Sequence, residues 1–385
     1  MRITEINTVV LRLPEVRAIG DGTQDVLLIF VHTDTGAIGI GEMHTAPTVG
    51  EAIVHAPVSH IRSQGLAQVL LGEDPSDIDA CWQRMADASE VYGRRGAAFH
   101  AISGVDLALW DLRGKAEGRP VADLLGGRRQ DTLETYASVL MPDTVEDAVT
   151  LAGSCADEGF AAVKYGWGGL AGGLDQARRL VGAVRDTAPD TDIMIDIGAG
   201  LQLDEALALA QALEPFDIAF LEEPLHPDDL DGFAQLTAQS PIPIATGEKE
   251  TSLAGFRTLI EHGRPDIVQP DLARAGGFTE VERIWELAID RGVRLVPHCW
   301  STDILVAATV QFLASRPEPI RLEFCLEDNP LRRELNPDPV WPVDGVVTVP
   351  EAPGLGVRLD PEIVDRFGVS FSAPRQHILD AVVNA

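Results

Sequence analysis

The sequence predicts an α/β protein whose main part is a modified (β/α) barrel, with an N-terminal α+β capping domain that the C-terminal tail completes. Short apolar runs, each closed by a charged or titratable residue, recur about every 25 residues between positions 192 and 323. The stretches between these runs have the length of one helix with two loops, which is the repeating unit of a parallel barrel. Residues 1–127 lack this period. We therefore expect a TIM-type barrel preceded by a separate, smaller domain.

The N-terminal segment consists of predicted strands followed by predicted helices, the order typical of an α+β domain. Residues 25–31 and 37–41 are strand-like, and residues 33–36 between them have turn chemistry. Gly126 and Gly127 end the segment with helix-stop signals. Helices are predicted at residues 51–71, 77–88 and 100–115.

The barrel period begins at Leu133 and ends at Glu323. Strands are predicted at residues 133–138, 161–164, 192–196, 218–222, 242–248, 266–271, 293–298 and 320–323. Helices are predicted at residues 144–158, 174–187, 204–213, 228–238, 252–262, 279–291 and 302–315. The predicted division of the chain is 1–127 for the capping domain, 128–325 for the barrel with the active site, and 326–385 for a C-terminal segment returning towards the cap.

Three acidic residues, Asp196, Glu222 and Glu248, each close a predicted strand, and successive members are 26 residues apart. Barrel enzymes carry their chemistry at the carboxyl ends of the strands, so carboxylates at successive strand ends would converge. Three half-buried anions without a counter-charge are costly. A hard divalent cation relieves that cost, because it takes oxygen ligands and keeps positions open for water or substrate. The sequence therefore predicts a metal site.

The strands that follow end in Asp271, His298 and Glu323. Imidazole titrates near neutral pH, which makes His298 the natural general base. Asp271, at the neighbouring strand end, would accept a hydrogen bond from one ring nitrogen, fix the tautomer and raise the basicity of the ring. Lys164 is one of three lysines in the chain and closes the strand-like run at residues 160–164. We therefore expect Lys164 in the site as well.

The composition argues against several classes of partner. A net charge of −30 over 385 residues disfavours nucleic acid and anionic membrane surfaces. No uninterrupted apolar stretch is long enough to cross a membrane, and the N-terminus lacks the form of a signal peptide. The four cysteines have no metal-finger spacing. We therefore expect a cytoplasmic protein with reduced thiols that binds a small molecule.

A set of short motifs occurs in a fixed order along the chain. They are FLEEPL at 220–225, GE at 247–248, QPD at 269–271, GG at 276–277 and PH at 297–298, preceded by ALWDLRGK at 108–115 and LLGG at 124–127. Over nearly the whole chain, this ordered set resembles the mandelate racemase-like branch of the enolase superfamily, the mandelate racemase/muconate lactonizing enzyme family. The resemblance implies an N-terminal α+β cap over a modified (β/α) barrel.

Members of that family use Mg²⁺ to stabilise an enediolate, which forms when the proton α to a carboxylate is removed. The resemblance implies one Mg²⁺ per subunit held by the three strand-end carboxylates, an Asp271–His298 dyad, and a homo-oligomer. Glu323 matches a family position that hydrogen-bonds the substrate carboxylate as it gains charge. This chemistry suits the residues, because an enediolate dianion needs concentrated positive charge in a dry site.

Two positions depart from the racemase pattern. That pattern carries two lysines two residues apart at the end of the second strand, and the second lysine is a base on the opposite face of the substrate. Lys164 matches the first lysine, but Gly166 occupies the second position, so two-base racemisation is not expected. Lys164 would neutralise the bound carboxylate, and a direct acid–base role stays open. Gly198 stands where the family often has Asn, which leaves more room near the metal.

A metal with one Asp–His base favours β-elimination, so the first choice of function is an acid-sugar dehydratase that forms a 2-keto-3-deoxy sugar acid. The alternatives are a sugar-acid lactone or anhydro-sugar cycloisomerase or epimerase, and a non-catalytic homologue that binds a metal or an anion. A metal-dependent barrel hydrolase is disfavoured, because such enzymes usually have clustered histidine ligands. Substrate identity is expected to lie in residues 16–24, 43–49 and 167–173, where His44 and Trp167 could touch a polyol chain.

Overall fold

The computed structural model describes residues 1–17, 23–44 and 46–369. Residues 18–22 and 45, which belong to two of the predicted specificity loops, lie outside the described residues, as do residues 370–385 of the C-terminal segment.

The strands form two sheets. They are β1 (Ile3–Arg12), β2 (Asp25–Thr33), β3 (Ile38–His44), β4 (Thr132–Leu140), β5 (Ala162–Gly166), β6 (Asp192–Asp196), β7 (Ile218–Glu222), β8 (Ile244–Thr246), β9 (Ile267–Val268), β10 (Arg294–Leu295), β11 (Leu322–Cys325), β12 (Val346–Thr348) and β13 (Gly368–Val369). The first sheet is antiparallel in the order β13-β1-β2-β3. Because β13 pairs with β1, the C-terminal segment completes the N-terminal sheet, as the sequence predicts.

The helices surround the second sheet or pack on the first. They are α1 (Pro47–His55), α2 (Leu66–Leu70), α3 (Ile78–Ser89), α4 (Ala97–Glu117), α5 (Val121–Leu124), α6 (Val145–Asp157), α7 (Leu174–Thr187), α8 (Leu203–Leu213), α9 (Leu230–Gln239), α10 (Ser252–Thr258), α11 (Gly277–Arg291), α12 (Asp303–Ala314), α13 (Pro330–Arg333) and α14 (Pro361–Phe367). Among the residues that the structure describes, no helix is both long and apolar enough to cross a bilayer.

The second sheet is the predicted barrel. Its strands run in the order β10-β9-β8-β7-β6-β5-β4-β11, and β4 pairs in parallel with both β5 and β11, so the first and last barrel strands are neighbours. Alternate side chains point to the interior or to the surrounding helices, as the period of a strand requires. The interior positions are filled by Tyr136, Ala162, Met194, Phe220, Ala245 and Ile267. The expected α/β fold class is thus confirmed.

The register of the strands brings the predicted site residues to one end of the barrel. Asp196, the last residue of β6, lies opposite Glu222, the last residue of β7. β9 and β10 are shorter than predicted, because Pro270 and Pro297 lack the amide hydrogen that would continue the ladder. Beyond these prolines the two segments pair once more, in an isolated β-bridge between residues 271 and 298.

The prediction of one continuous helix over residues 51–71 is wrong between residues 56 and 65. α1 ends at His55, and the next helix, α2, begins at Leu66. The residue before a proline is disfavoured in helical backbone, and Ala56 precedes Pro57 with φ −55° and ψ 135°. Proline chemistry therefore overrides the helical pattern at this point.

The cap is fastened to the barrel through the loop that follows β9. The indole of Trp82 donates to the carbonyl oxygen of Gly276 at 2.9 Å, and the Gly276 amide donates to the hydroxyl of Ser103 on α4 at 2.8 Å. Asp106, also on α4, accepts hydrogen bonds from the amide and the hydroxyl of Thr279 at 3.0 and 2.6 Å. These buried contacts fix the loop that begins with the candidate dyad residue Asp271.

We predict that Gly277→Ala destabilises the protein by about 3 kcal/mol or more, because its Cβ would lie 2.3 Å from a carboxylate oxygen of Asp106. The matched control is Gly72→Ala. Both glycines have similar positive φ, +76° and +80°, but no atom lies within 4 Å of a Cβ on Gly72. The control should lose about 1 kcal/mol from backbone strain alone. Equal losses in urea unfolding would contradict the account of this interface.

Candidate active site

A cavity of about 330 Å³ opens at the carboxyl ends of the barrel strands. Of the nine site residues predicted from sequence, those that line it are Lys164, Trp167, Asp196, Glu248, His298 and, from the cap, His44. Glu222, Asp271 and Glu323 are fully buried, and each contacts a lining residue. The structure therefore brings all nine together. Further lining residues are His100, Ser138, Leu140, Gly166, Lys249, Arg274 and Trp300.

The three strand-end carboxylates converge. Asp196, Glu222 and Glu248 each offer one oxygen atom, and these atoms lie within 4.8 Å of one another. All three side chains are buried. Burial raises the pKa of Asp196 and that of Glu222, against the opposing effect of the Lys164 ammonium. Three oxygen donors at this spacing are the kind of group that could hold a hard divalent cation.

The charge balance around these carboxylates also fits a cation. Among the described residues, the buried carboxylates of the triad and its immediate neighbours are Asp196, Glu222, Glu223, Glu248, Asp271 and Glu323. In the part of the chain that the structure describes, the permanent cations in contact with them are Lys164, Lys249 and Arg274. If all six were ionised, six negative charges against three positive ones would leave an excess that a low-dielectric site tolerates poorly, in line with the raised pKa values of Asp196 and Glu222. A divalent cation would offset most of that excess.

Lys164 lies at the centre of the barrel mouth. Its Nζ is 2.6 Å from Glu222 Oε1 and 2.6 Å from Glu323 Oε1, and its side chain is almost wholly buried. Burial opposes the charge, but the two glutamates outweigh burial and raise the pKa of Lys164 well above its ordinary value. The side chain is therefore a fixed cation between a candidate metal ligand and Glu323.

Glu323 is placed to accept hydrogen bonds. Its Oε1 accepts from the Ser138 hydroxyl at 2.8 Å, and its Oε2 accepts from the amide of Cys299 at 2.8 Å. Although burial opposes ionisation, Lys164 and His298 outweigh it and lower the pKa of Glu323. In this arrangement both oxygens of Glu323 act as hydrogen-bond acceptors.

His298 and Asp271 form the predicted pair. Nδ1 of His298 is 2.7 Å from Asp271 Oδ2, and Nε2 is 3.3 Å from Glu248 Oε2. Burial opposes ionisation of Asp271, but Arg274 and His298 outweigh it and lower its pKa. An ionised Asp271 accepts the Nδ1 hydrogen, which directs Nε2 towards the carboxylate triad. Burial opposes protonation of His298, but Glu248 and Glu323 raise its pKa above the ordinary value.

Arg274, which sequence reasoning missed, joins the cap to the barrel site. One guanidinium nitrogen lies 2.8 Å from Nδ1 of His44, and another donates to the backbone carbonyl of Glu248 at 3.1 Å. Its Nε is 3.6 Å from Asp271 Oδ2. The ring of His100 on α4 hydrogen-bonds to the backbone of His44, and burial lowers the pKa of His100 to about 4. The sequence offers one signal for Arg274, which is its position three residues after the candidate site residue Asp271.

Lys249 is a second residue that sequence reasoning missed. Its Nζ is 3.0 Å from Glu223 Oε2 and 3.1 Å from Glu248 Oε1. Glu223 also accepts hydrogen bonds from the hydroxyl of Thr246 and the amide of Gly247. The scarcity of lysine was a signal here too, because two of the three lysines in the chain lie at this site.

Family comparison matches both parts of the chain. Residues 3–126 match the family described as "Mandelate racemase / muconate lactonizing enzyme, N-terminal domain", and residues 147–363 match "Enolase C-terminal domain-like". The chain belongs to the mandelate racemase/muconate lactonizing enzyme family of the enolase superfamily. The resemblance seen in its motifs is thereby confirmed.

Named members of this family are similar to the chain over almost its whole length. A D-galactarolactone cycloisomerase of Agrobacterium fabrum is 35% identical over an alignment of 356 residues that covers 89% of this chain and 90% of that protein. An L-rhamnonate dehydratase of Saccharopolyspora erythraea is 35% identical over an alignment of 370 residues that covers 93% of this chain and 90% of that protein. The crystal structure of the 3,6-anhydro-D-galactonate cycloisomerase from Zobellia galactanivorans has a TM-score of 0.86 at 33% identity, covering 96% of this chain and 100% of that one.

We predict that Lys164→Met lowers the free energy of unfolding in the absence of metal by about 3 kcal/mol, because Glu222 and Glu323 lose their shared cation. Glu323→Gln added to that variant should recover part of the loss, since it removes one of the two stranded charges. Urea unfolding of the wild type, the two single variants and the double variant forms a double-mutant cycle. Losses that simply add would contradict the pairing.

Proposed function

We propose that this protein is a Mg²⁺-dependent acid-sugar dehydratase. It removes the proton α to a carboxylate and eliminates the β-hydroxyl, which gives water and a 2-keto-3-deoxy sugar acid. The observation that carries the proposal is the single Asp271–His298 pair beside the carboxylate triad, at a cavity of a size suited to a small molecule. The similarity to an L-rhamnonate dehydratase supports it.

The proposed metal ligands are Asp196, Glu222 and Glu248, and we expect one ion per subunit. Their oxygen chemistry and the excess negative charge around them suit Mg²⁺, the ion that members of this superfamily use. When bound, the ion supplies the concentrated positive charge that an enediolate needs.

His298 is the proposed general base. With its Nδ1 hydrogen donated to Asp271, His298 in its neutral form would take the α-proton at Nε2, and a cation bound by Glu248 would offset the charge that raises the pKa of the ring. Asp271 then stabilises the imidazolium by charge and holds the ring in place. The electron pair of the enediolate expels the β-hydroxyl, and the imidazolium returns its proton to that hydroxyl in a syn elimination, which releases water and leaves an enol. The enol then gains a proton at the β-carbon and loses one from its hydroxyl, which gives the 2-keto acid. One side chain thus serves first as base and then as acid.

Lys164 is the proposed counter-ion of the substrate carboxylate. Glu323 is proposed to contact the same end of the substrate, and it would have to take up a proton in order to donate a hydrogen bond to that carboxylate. Because Lys164 is held protonated by two glutamates, it offers a charge and not a lone pair. Gly166 has no side chain to act as the second base of a racemase. With His298 as the base and no lysine at position 166, elimination is favoured over two-base racemisation.

A cycloisomerase is the second candidate, favoured by two relatives. The D-galactarolactone cycloisomerase and the 3,6-anhydro-D-galactonate cycloisomerase are similar to this chain over nearly their whole length. A ring-opening elimination has the same first step, removal of an α-proton by His298. It differs in the leaving oxygen, which belongs to a ring and stays attached to the product.

The proposed substrate is a small carboxylate of the sugar-acid class, with His44 and Trp167 against its polyol chain. The proposal includes a homo-oligomer in the cytoplasm. It also retains the division of the chain at residues 127 and 325. A non-catalytic homologue that binds a metal or an anion remains the alternative if no substrate turns over.

The test is a panel of mono- and diacid sugars and their lactones, incubated with protein and Mg²⁺ and assayed for 2-keto-3-deoxy acids. Keto-acid formation that EDTA abolishes and added Mg²⁺ restores would support the dehydratase. A ring-opened or ring-closed isomer without loss of water would move the assignment to the cycloisomerase. Metal binding without turnover, and without exchange of the α-proton in D₂O, would favour the non-catalytic homologue.

We predict that His298→Asn lowers kcat by roughly 10³-fold on the substrate that the panel identifies, because the variant has no base for the α-proton. It should also abolish deuterium exchange at the α-carbon. The matched control is His226→Asn, since the His226 side chain is 70% exposed. That variant should keep wild-type kcat, and an active His298→Asn enzyme would overturn the assignment of the base.

A further inference from the structure

The candidate metal ligand Asp196 is held at both of its oxygens by a neighbouring glycine and a tryptophan. The indole Nε1 of Trp167 donates to Asp196 Oδ2 at 3.2 Å. The amide of Gly198 donates to Asp196 Oδ1 at 2.9 Å. The two donors approach different oxygens of one carboxylate, so together they resist its rotation.

The backbone around Trp167 is shaped to keep the indole in this place. Trp167 has φ +55°, a left-handed conformation that is rare for a bulky residue. Its amide donates to the backbone carbonyl of Asp196 at 3.0 Å, and its carbonyl accepts from the amide of Leu170 at 3.0 Å. Strain of this kind persists only where the surroundings over-determine it, and it marks functional segments.

Of the two departures from the racemase pattern, Gly198 has a steric cause, whereas a Cβ on Gly166 would make only an ordinary contact. A Cβ on Gly198 would lie 2.7 Å from the Trp167 indole, closer than Cβ atoms approach other atoms. A Cβ on Gly166 would lie 3.4 Å from Asp196 Oδ2, the oxygen that receives the indole hydrogen bond. An Asn at 198 would therefore displace the ring, and a Lys at 166 would begin beside the carboxylate that the ring holds.

We propose that Trp167 is a positioning residue for Asp196, which holds the carboxylate in the orientation that the metal requires and changes its own fluorescence when the metal binds. This inference rests on the metal site of the proposed function. It goes beyond it by assigning a role to Trp167 other than contact with substrate. Gly198 is the residue that makes room for the indole.

The expected size of the effect follows from the general behaviour of groups that orient metal ligands, whose loss weakens binding by about 10- to 100-fold. Trp167→Phe removes the indole donor but keeps an aromatic ring at this position. An adjoining apolar cavity of about 530 Å³, lined by Trp167, Leu170 and Leu174, leaves space for an aromatic ring. Gly198→Ala keeps the donor but forces the ring away. The two variants therefore disturb the same contact from opposite sides.

Isothermal titration with Mg²⁺ and with Mn²⁺, in the absence of substrate, tests the proposal. Trp167→Phe and Gly198→Ala should each bind both ions about 10-fold more weakly than the wild type. The matched control is Trp300→Phe, which changes another tryptophan of the same cavity and should keep the wild-type affinity. Circular dichroism establishes that each variant is folded. Wild-type affinity in folded Trp167→Phe would overturn the proposal.

Tryptophan fluorescence gives an independent readout. Mn²⁺ is paramagnetic, and its binding to the wild type should quench part of the emission. At saturating Mn²⁺, that quenching should be weaker in Trp167→Phe than in Trp300→Phe, because the Trp167 indole contacts a candidate metal ligand. Quenching in Trp167→Phe as strong as in the wild type would contradict the sensing role. Failure of the wild type to bind either ion would overturn the metal site of the proposed function and this inference together, whereas tight binding unaffected by Trp167→Phe would overturn only the inference.

Discussion

The site depends on one electrostatic constraint, the burial of six carboxylates at the same end of one barrel. Such a cluster costs free energy unless cations accompany it. The chain supplies fixed cations at three points, and each of them contacts at least two carboxylates. The remaining excess of negative charge is what makes a divalent ion fit. The lysine and arginine positions are therefore as much a part of the proposed metal site as its oxygen donors.

The cap takes part in the same balance. Arg274 lies between a cap histidine and the barrel carboxylates, and the loop that carries it is fastened to α4 by Ser103 and Asp106. A shift of the cap would move this loop, and with it Asp271 at its start. The geometry of the candidate base thus depends on packing far from the reacting atoms, which is how preorganised sites generally hold their shape.

The strand-end residues could be predicted from the sequence, because a parallel barrel aligns the carboxyl ends of its strands whatever their exact lengths. The partners of those residues could not. Side-chain directions, which no sequence spacing fixes, determine which cations approach Glu248. They also determine that Lys164 lies between Glu222 and Glu323. From the sequence, Gly198 indicates only the absence of a polar contact near the metal. The structure explains the glycine sterically, because a larger residue would collide with the indole of Trp167. Pro57 predicts a break in the helix at Ala56, whereas the helical pattern on either side of it predicts a continuous helix.

The central claim is that Asp196, Glu222 and Glu248 hold one divalent ion. Anomalous diffraction from crystals grown with Mn²⁺ tests it most directly, because the scattering of the ion locates it without reference to activity. The account predicts a single strong peak per subunit between these three carboxylates. It also predicts that the peak is lost in Asp196→Asn crystals grown under the same conditions. A peak elsewhere, or no peak in the wild type at saturating Mn²⁺, would contradict it.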